Sequence, residues 1–134
     1  MSEPAVVLEL PNATLWYHAQ GNIIHHQIRA FIHGEAFHKL LETGVEQMIL
    51  HKASKWLSDD RGNGAIKPED GVWAQTVWAP KAVKAGWKSW ALVLPTSAVG
   101  KMNMKKFTDD NSKLGIAARA FDNPEAALAW LQSV

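Results

Sequence analysis

The chain has 134 residues, of which 47% are hydrophobic and 20% charged, the make-up of one globular domain and not of a disordered segment. About 68% of the unfolded surface can be buried at this length, so folding requires neither a disulfide nor a metal. There is no cysteine, which excludes disulfides, thiolate metal ligands and cysteine nucleophiles. The net charge of +1 is unevenly spread. Residues 1–70 carry nine acidic and six basic side chains, and residues 109–134 carry four and two. Between them, residues 71–108 hold no acid and six lysines: Lys81, Lys84, Lys88, Lys101, Lys105 and Lys106. Such a stretch can face an anionic partner or simply complement helix ends and keep the surface solvated. Lysines without clustered arginine read bases poorly, so sequence-specific nucleic-acid binding is not expected.

The first residues lack a basic segment, and the four apolar residues 5–8 are too few for a signal peptide. No window reaches the ~18 apolar residues of a membrane span. The expectation is a soluble, cytoplasmic protein. Three extended segments come first, at residues 5–10, 14–19 and 23–32, separated by the turn residues Pro11-Asn12 and Gly21-Asn22. Such short connections predict an antiparallel meander. Phe37, Leu40, Leu41, Val45, Met48 and Ile49 then recur at helical spacing, which predicts a helix over 34–51. Residues 55–58 read as a short buried strand running into the polar loop 59–64. Pro68 with Glu69 and Asp70 marks a helix start, with Trp73 and Val77 inward, Trp78 pointing elsewhere and a kink at Pro80. Residues 87–94 predict a central strand, with Trp87 and Trp90 on opposite faces because their separation is odd. Helical pieces are expected between 97 and 112, with Met102, Met104 and Phe107 inward, and a strand over 115–121. Asp122-Asn123-Pro124-Glu125 combines a cap, a first-turn proline and an acid, with Ala127, Leu128 and Leu131 as the buried helix face. Alternating helices and strands imply parallel strands joined by right-handed crossovers. The predicted fold is therefore α/β: one mixed sheet, antiparallel then parallel, with helices packed mainly on one face.

The segments Lys55-Trp56-Leu57-Ser58-Asp59-Asp60-Arg61, Trp78-Ala79-Pro80, Gly86-Trp87-Lys88-Ser89-Trp90-Ala91 and the ending 121–131 together resemble small bacterial proteins of the STAS group, SpoIIAA-like. That group is also likened to a lipid-binding fold. The resemblance covers nearly the whole chain in element order. It implies a mixed sheet with helices on one side and a non-catalytic regulatory or ligand-binding module. STAS regulators are switched on a serine in the loop after a central strand. Here the loop 59–66 contains no serine, and Ser58 precedes it, so the resemblance extends to the fold and not to a phosphorylation switch.

Ligands of open α/β sheets bind beyond the carboxyl ends of parallel strands. Asp59, Asp60, Arg61, Thr96 and Ser97 are the candidate ligand-binding residues there, with Asp122 nearby. An Asp after a strand also caps loop backbone, and Arg61 is a ready partner for it. The ligand implied is an anionic small molecule, a lipid or a protein partner. The alternative is a small hydrolase or isomerase with Asp59 or Asp60 as base and Arg61 holding an anion. No cofactor is expected, and no metal. Adjacent His25 and His26 point to opposite faces of a strand, and no pair of histidines has the spacing of a helix-borne site. Seven tryptophans are many for this length. Trp16 or Trp78 is a candidate for covering a homodimer contact or a pocket, the alternative being that both complete a small core.

Overall fold

The computed structural model describes residues 3–62, 66–94, 105, 109 and 114–134. Six strands form one sheet in chain order: β1 (Ala5–Glu9), β2 (Ala13–His18), β3 (Ile23–Ile28), β4 (Lys55–Asp59), β5 (Ser89–Val93) and β6 (Ala117–Phe121). Strands β1, β2 and β3 are antiparallel neighbours, and β3 to β6 run parallel. The expected mixed α/β sheet is thus formed, and all three N-terminal strands belong to it. The reason is connection length. A tight turn can only return the chain antiparallel, whereas a helical crossover brings it back parallel. Strand β3 ends at Ile28, earlier than expected. Arg29 leaves the ladder to donate to Thr14 Oγ1, to Glu9 Oε1 at 3.1 Å and to the Leu10 carbonyl at 2.8 Å, tying down the first hairpin.

The helices are α1 (Gly34–His51), α2 (Pro68–Trp73), α3 (Ala79–Lys84) and α4 (Pro124–Ser133), with a π-helical turn (Ala74–Trp78) between α2 and α3. Strand alternation divides the core. Ile24, Trp56, Trp90 and Leu92 face Phe37, Leu40 and Met48 of α1 together with Trp78 and Ala82. Ile23, Leu57, Ala91 and Val93 face Ala127 and Leu131 of α4. Three helices therefore cover one face, and α4 lies on the other against β4, β5 and β6. Asn123 caps α4 as expected, its Oδ1 accepting from the Ala126 amide at 2.8 Å. Asp70, itself buried, accepts from the Gly34 amide at 3.0 Å and so joins the start of α2 to the start of α1.

Three expectations are corrected. Asp70, Ala74, Trp78 and Ala82, four residues apart, point inward, as does Ala79, while Val77 is 41% exposed and Trp73 half-buried. A repeat of four overshoots an α-helix, and the widened π turn keeps these positions on one face. That turn ends just before Pro80, whose ring cannot donate to, and would crowd, the carbonyl four residues back. The irregularity expected at the proline is thus taken up by the turn ahead of it. Trp87 and Trp90 lie on the same side, ring centres 5.5 Å apart, because Trp87 precedes β5 and escapes strand alternation. Ile49 is 62% exposed, since it is rotated by about 100° from Met48, the last buried position of α1. The expected helical pieces between 97 and 112, with Met102, Met104 and Phe107, lie outside the described residues except for helical Lys105 and Asp109. Among the described residues no helix is long and apolar enough to cross a membrane.

Gly44 is the closest approach of α1 to the sheet. A Cβ there would fall 2.0 Å from Trp56 Cη2 and 2.6 Å from its Cζ3. Alanine favours an isolated helix by about 1 kcal/mol, but here α1 must lift from the sheet to admit it. Gly44→Ala is expected to destabilise by about 2 kcal/mol or more, measured by chemical denaturation, with loss of near-ultraviolet tryptophan dichroism.

Candidate functional site

Alternate residues of β3 place Ile24, His26 and Ile28 beneath α1, and β4 adds Trp56 and Ser58 to the same face. His26 and Ser58 are cross-strand neighbours, as are Trp56 and Trp90. The chain leaving β4 then turns across the end of β3. Gly62 makes this possible, because a Cβ there would lie 2.6 Å from the backbone of Ile28 and Arg29. The turn carries Asp60 over His26, and the Asp60 amide donates to the Val93 carbonyl at 3.1 Å. Together these residues line a cavity of about 40 Å³, closed by Phe37, Ile66, Trp78 and Trp87.

Its polar groups form a defined relay. An indole N–H can only donate, so Trp56 Nε1 at 3.0 Å makes His26 Nδ1 an acceptor. The His26 proton therefore sits on Nε2 and is donated to Asp60 Oδ1 at 2.9 Å. Trp90 Nε1 donates to Ser58 Oγ at 2.8 Å, Trp78 Nε1 to the Leu41 carbonyl at 2.8 Å, and Trp87 Nε1 to the Ser89 carbonyl at 3.2 Å. All four indoles are thus engaged within the chain, and the cavity is left with the Asp60 carboxyl and the Ser58 hydroxyl as its polar surface. Both His26 nitrogens are occupied, so His26 is not placed to take a proton from Ser58. Among the described residues no cation pairs with Asp60 apart from the imidazole edge of His26. His26 and Asp60 are 5% and 4% exposed, so water contributes little to their solvation.

The opposite face of the same strands holds a different cluster. Asp59 is buried there and grips Arg61 with two hydrogen bonds, Nε to Oδ1 at 2.9 Å and Nη2 to Oδ2 at 2.8 Å. That contact holds the guanidinium above its ordinary pKa. Asp59 and Asp60 accordingly serve separate faces, and among the described residues Arg61 pairs with Asp59. Thr96 and Ser97 lie outside the described residues. Trp16 lies on the half of this face beyond α4, partly exposed, its ring 4.8 Å from that of His25. Trp78, the other proposed contact residue, is 3% exposed inside the chain's own core and offers no surface to a second subunit. Its inward aim follows from the four-residue repeat described above.

His25 and His26 do take opposite faces, as alternation predicts. His25 Nδ1 meets His18 Nε2 at 3.0 Å, with ring centres 5.2 Å apart and planes within 20°. That is the spacing of an N–H···N hydrogen bond between two imidazoles, in which one ring's lone pair accepts the other's proton, so these two nitrogens are not directed at an ion. Groups of three or more ligating side chains are absent among the described residues. Burial holds His25 down to about 3, helped by His18 and His26 and opposed by Asp59, and burial lowers His18 as well.

The sequence reading passed over His26, Ser58, Trp56, Trp87 and Trp90 as site residues. One signal for them was present: His26 alternates with Ile24 and Ile28, and Ser58 with Trp56, on the apolar side of their strands. Comparison with known protein families, curated proteins and solved structures finds no match for the chain.

The lowered His25 has a consequence for stability. Between about pH 6.5 and about pH 3 the unfolded chain binds a proton that the folded chain refuses. Stability is complete above that window and falls as pH drops through it, by roughly 2–5 kcal/mol. Melting curves of the wild type and His25→Phe from pH 7 to about pH 4 test this. The variant should lose less stability on acidification, and parallel curves would exclude His25 as the cause.

Proposed function

We propose that this chain is a non-catalytic ligand-binding module whose ligand enters the aromatic cavity between α1, the π turn and the sheet. The observation that carries the proposal is Asp60, a buried carboxyl group facing a cavity whose four indole N–H groups are all committed elsewhere. Burying a carboxylate without a cation is costly, and a core built for stability alone gains nothing from it. About 40 Å³ admits a group of the size of one or two water molecules, so the cavity suits the end of a ligand and not its whole length. Asp60 and Ser58 select an end group that donates hydrogen bonds. An ammonium group fits best, because carboxylate and indole faces both attract cations. An anionic end group meets the Asp60 charge, so the anionic or lipid partner expected from the sequence belongs outside this cavity.

The mixed sheet agrees with the fold that the STAS-like resemblance implies, although a fold by itself assigns no function. A bacterial, cytoplasmic homodimer is the wider reading. It is supported by that resemblance and by Trp16, partly exposed on the sheet face beyond α4. The separation of Asp59–Arg61 from Asp60 supports the non-catalytic reading over a hydrolase or isomerase.

Three ligands of one shape test the cavity: n-butylamine, 1-butanol and butyrate, titrated while the indole N–H signals of Trp56 and Trp90 are followed by two-dimensional NMR. The amine is expected to bind in the millimolar range, the alcohol more weakly, and butyrate not at all. Asp60→Asn should remove the preference for the amine. Absence of saturable shifts for all three, or equal binding by the variant, would defeat the proposal.

A further inference from the structure

We infer that the end of the molecule where β4, β5 and β6 begin docks onto an anionic lipid bilayer. The last turn of α1 presents Ile49 and Leu50 at 62% and 68% exposure, and Leu114, leading into β6, is 42% exposed at the same end. Beside Ile49 runs an open groove of about 500 Å³ whose walls include Lys52, Ser54, Lys84 and Lys88. All three lysines are exposed. The lysine ion pairs among the described residues are Lys67–Glu69 and Lys105–Asp109, so the groove cations keep their charge for another partner. No acid occurs in residues 71–108. On α1, Glu46 lies one turn before Leu50 and is the acid nearest to it in the chain.

Helix ends alone do not account for this arrangement. Lys52 and Lys84 complement the carbonyl ends of α1 and α3, but that leaves two large aliphatic side chains in water beside them. Exposed aliphatic groups at the same end as a lysine-walled groove match a surface that is apolar below and negatively charged above, which is a bilayer with anionic headgroups. Nucleic acid fits less well, because among the described residues the groove has no arginine and no aromatic ring on which a base could stack. A second copy fits less well too, since a two-fold contact would set these lysines against their own images.

Co-sedimentation of the full chain with vesicles tests the inference. Vesicles of phosphatidylcholine with about one third phosphatidylserine should bind it, pure phosphatidylcholine should not, and added salt should weaken the binding. Lys84→Ala with Lys88→Ala should weaken partitioning about thirtyfold, at roughly fivefold per lysine. Leu50→Ser should weaken it at least tenfold. Both sets lie on the surface, and unchanged melting temperatures would show that the fold is intact. Failure to bind anionic vesicles, or equal binding by all variants, would overturn the inference. So would saturable binding of inorganic phosphate or an acidic peptide without vesicle binding, because the groove would then serve a soluble anion.

Discussion

The indole of Trp56 is the contact on which the other layers depend. Its ring fills the space that Gly44 leaves open in α1 and meets Trp78 edge-on, with ring centres 5.2 Å apart. Its N–H fixes the tautomer of His26, and through His26 the position of Asp60. Sheet, helix and site are therefore set by one side chain of β4, which is 1% exposed. A large planar group can do this because it offers dispersion contacts on both faces and one directed donor at its edge. Trp78 and Trp87 then pack around it, and Trp90 packs against Trp87, each with its own N–H satisfied. The cluster is consequently rigid in orientation, and the remaining cavity keeps a defined polar corner.

Strand alternation explains why neighbouring residues have unrelated roles. His25 and His26 are adjacent in the chain yet lie in different clusters, as do Asp59 and Asp60. The Asp59–Arg61 pair closes on itself at the rim of one face. Its two parallel hydrogen bonds use both carboxylate oxygens of Asp59, leaving little of that group for a ligand. Asp60, one residue later, has left the ladder and is carried the other way by a turn that only glycine at position 62 permits. Reading two consecutive acids as one pair therefore misjudges them. Asp59 closes the strand and Asp60 follows it, and the pleat and the turn send them to opposite sides.

The regular parts of the fold were readable because their signals are periodic. The stripe from Phe37 to Met48 marks α1, and the cap, proline and acid before α4 are local chemistry that needs no partner. What escaped was whatever broke the period. The face of the segment from Asp70 to Ala82 could not be assigned with an α-helical repeat, because a π turn inserts a wider step. Trp87 was misplaced because its backbone is not yet strand, so counting odd and even positions from it has no meaning. The polar members of the cavity were harder still. A histidine and a serine on apolar strand faces are visible as anomalies, but their meeting depends on the register between β3 and β4, which pairs His26 with Ser58. No local property of either strand specifies that pairing.

The relay also bears on why polar groups occupy this core at all. Buried ion pairs and buried hydrogen-bonded polar groups are weak evidence for stability, since well-packed apolar residues of similar volume are often as stable. Here eight large aromatic or aliphatic side chains already surround the site, and filling it with one more would be the simplest way to gain packing. The chain instead keeps a void beside Asp60 and uses Trp56 and His26 to hold that carboxyl in place. A carboxyl group positioned through two buried partners is oriented before any ligand arrives, so binding loses little entropy to ordering the site. Preorganisation of that kind has no benefit for a folded core that binds nothing, and this is the physical ground for proposing that the cavity serves recognition.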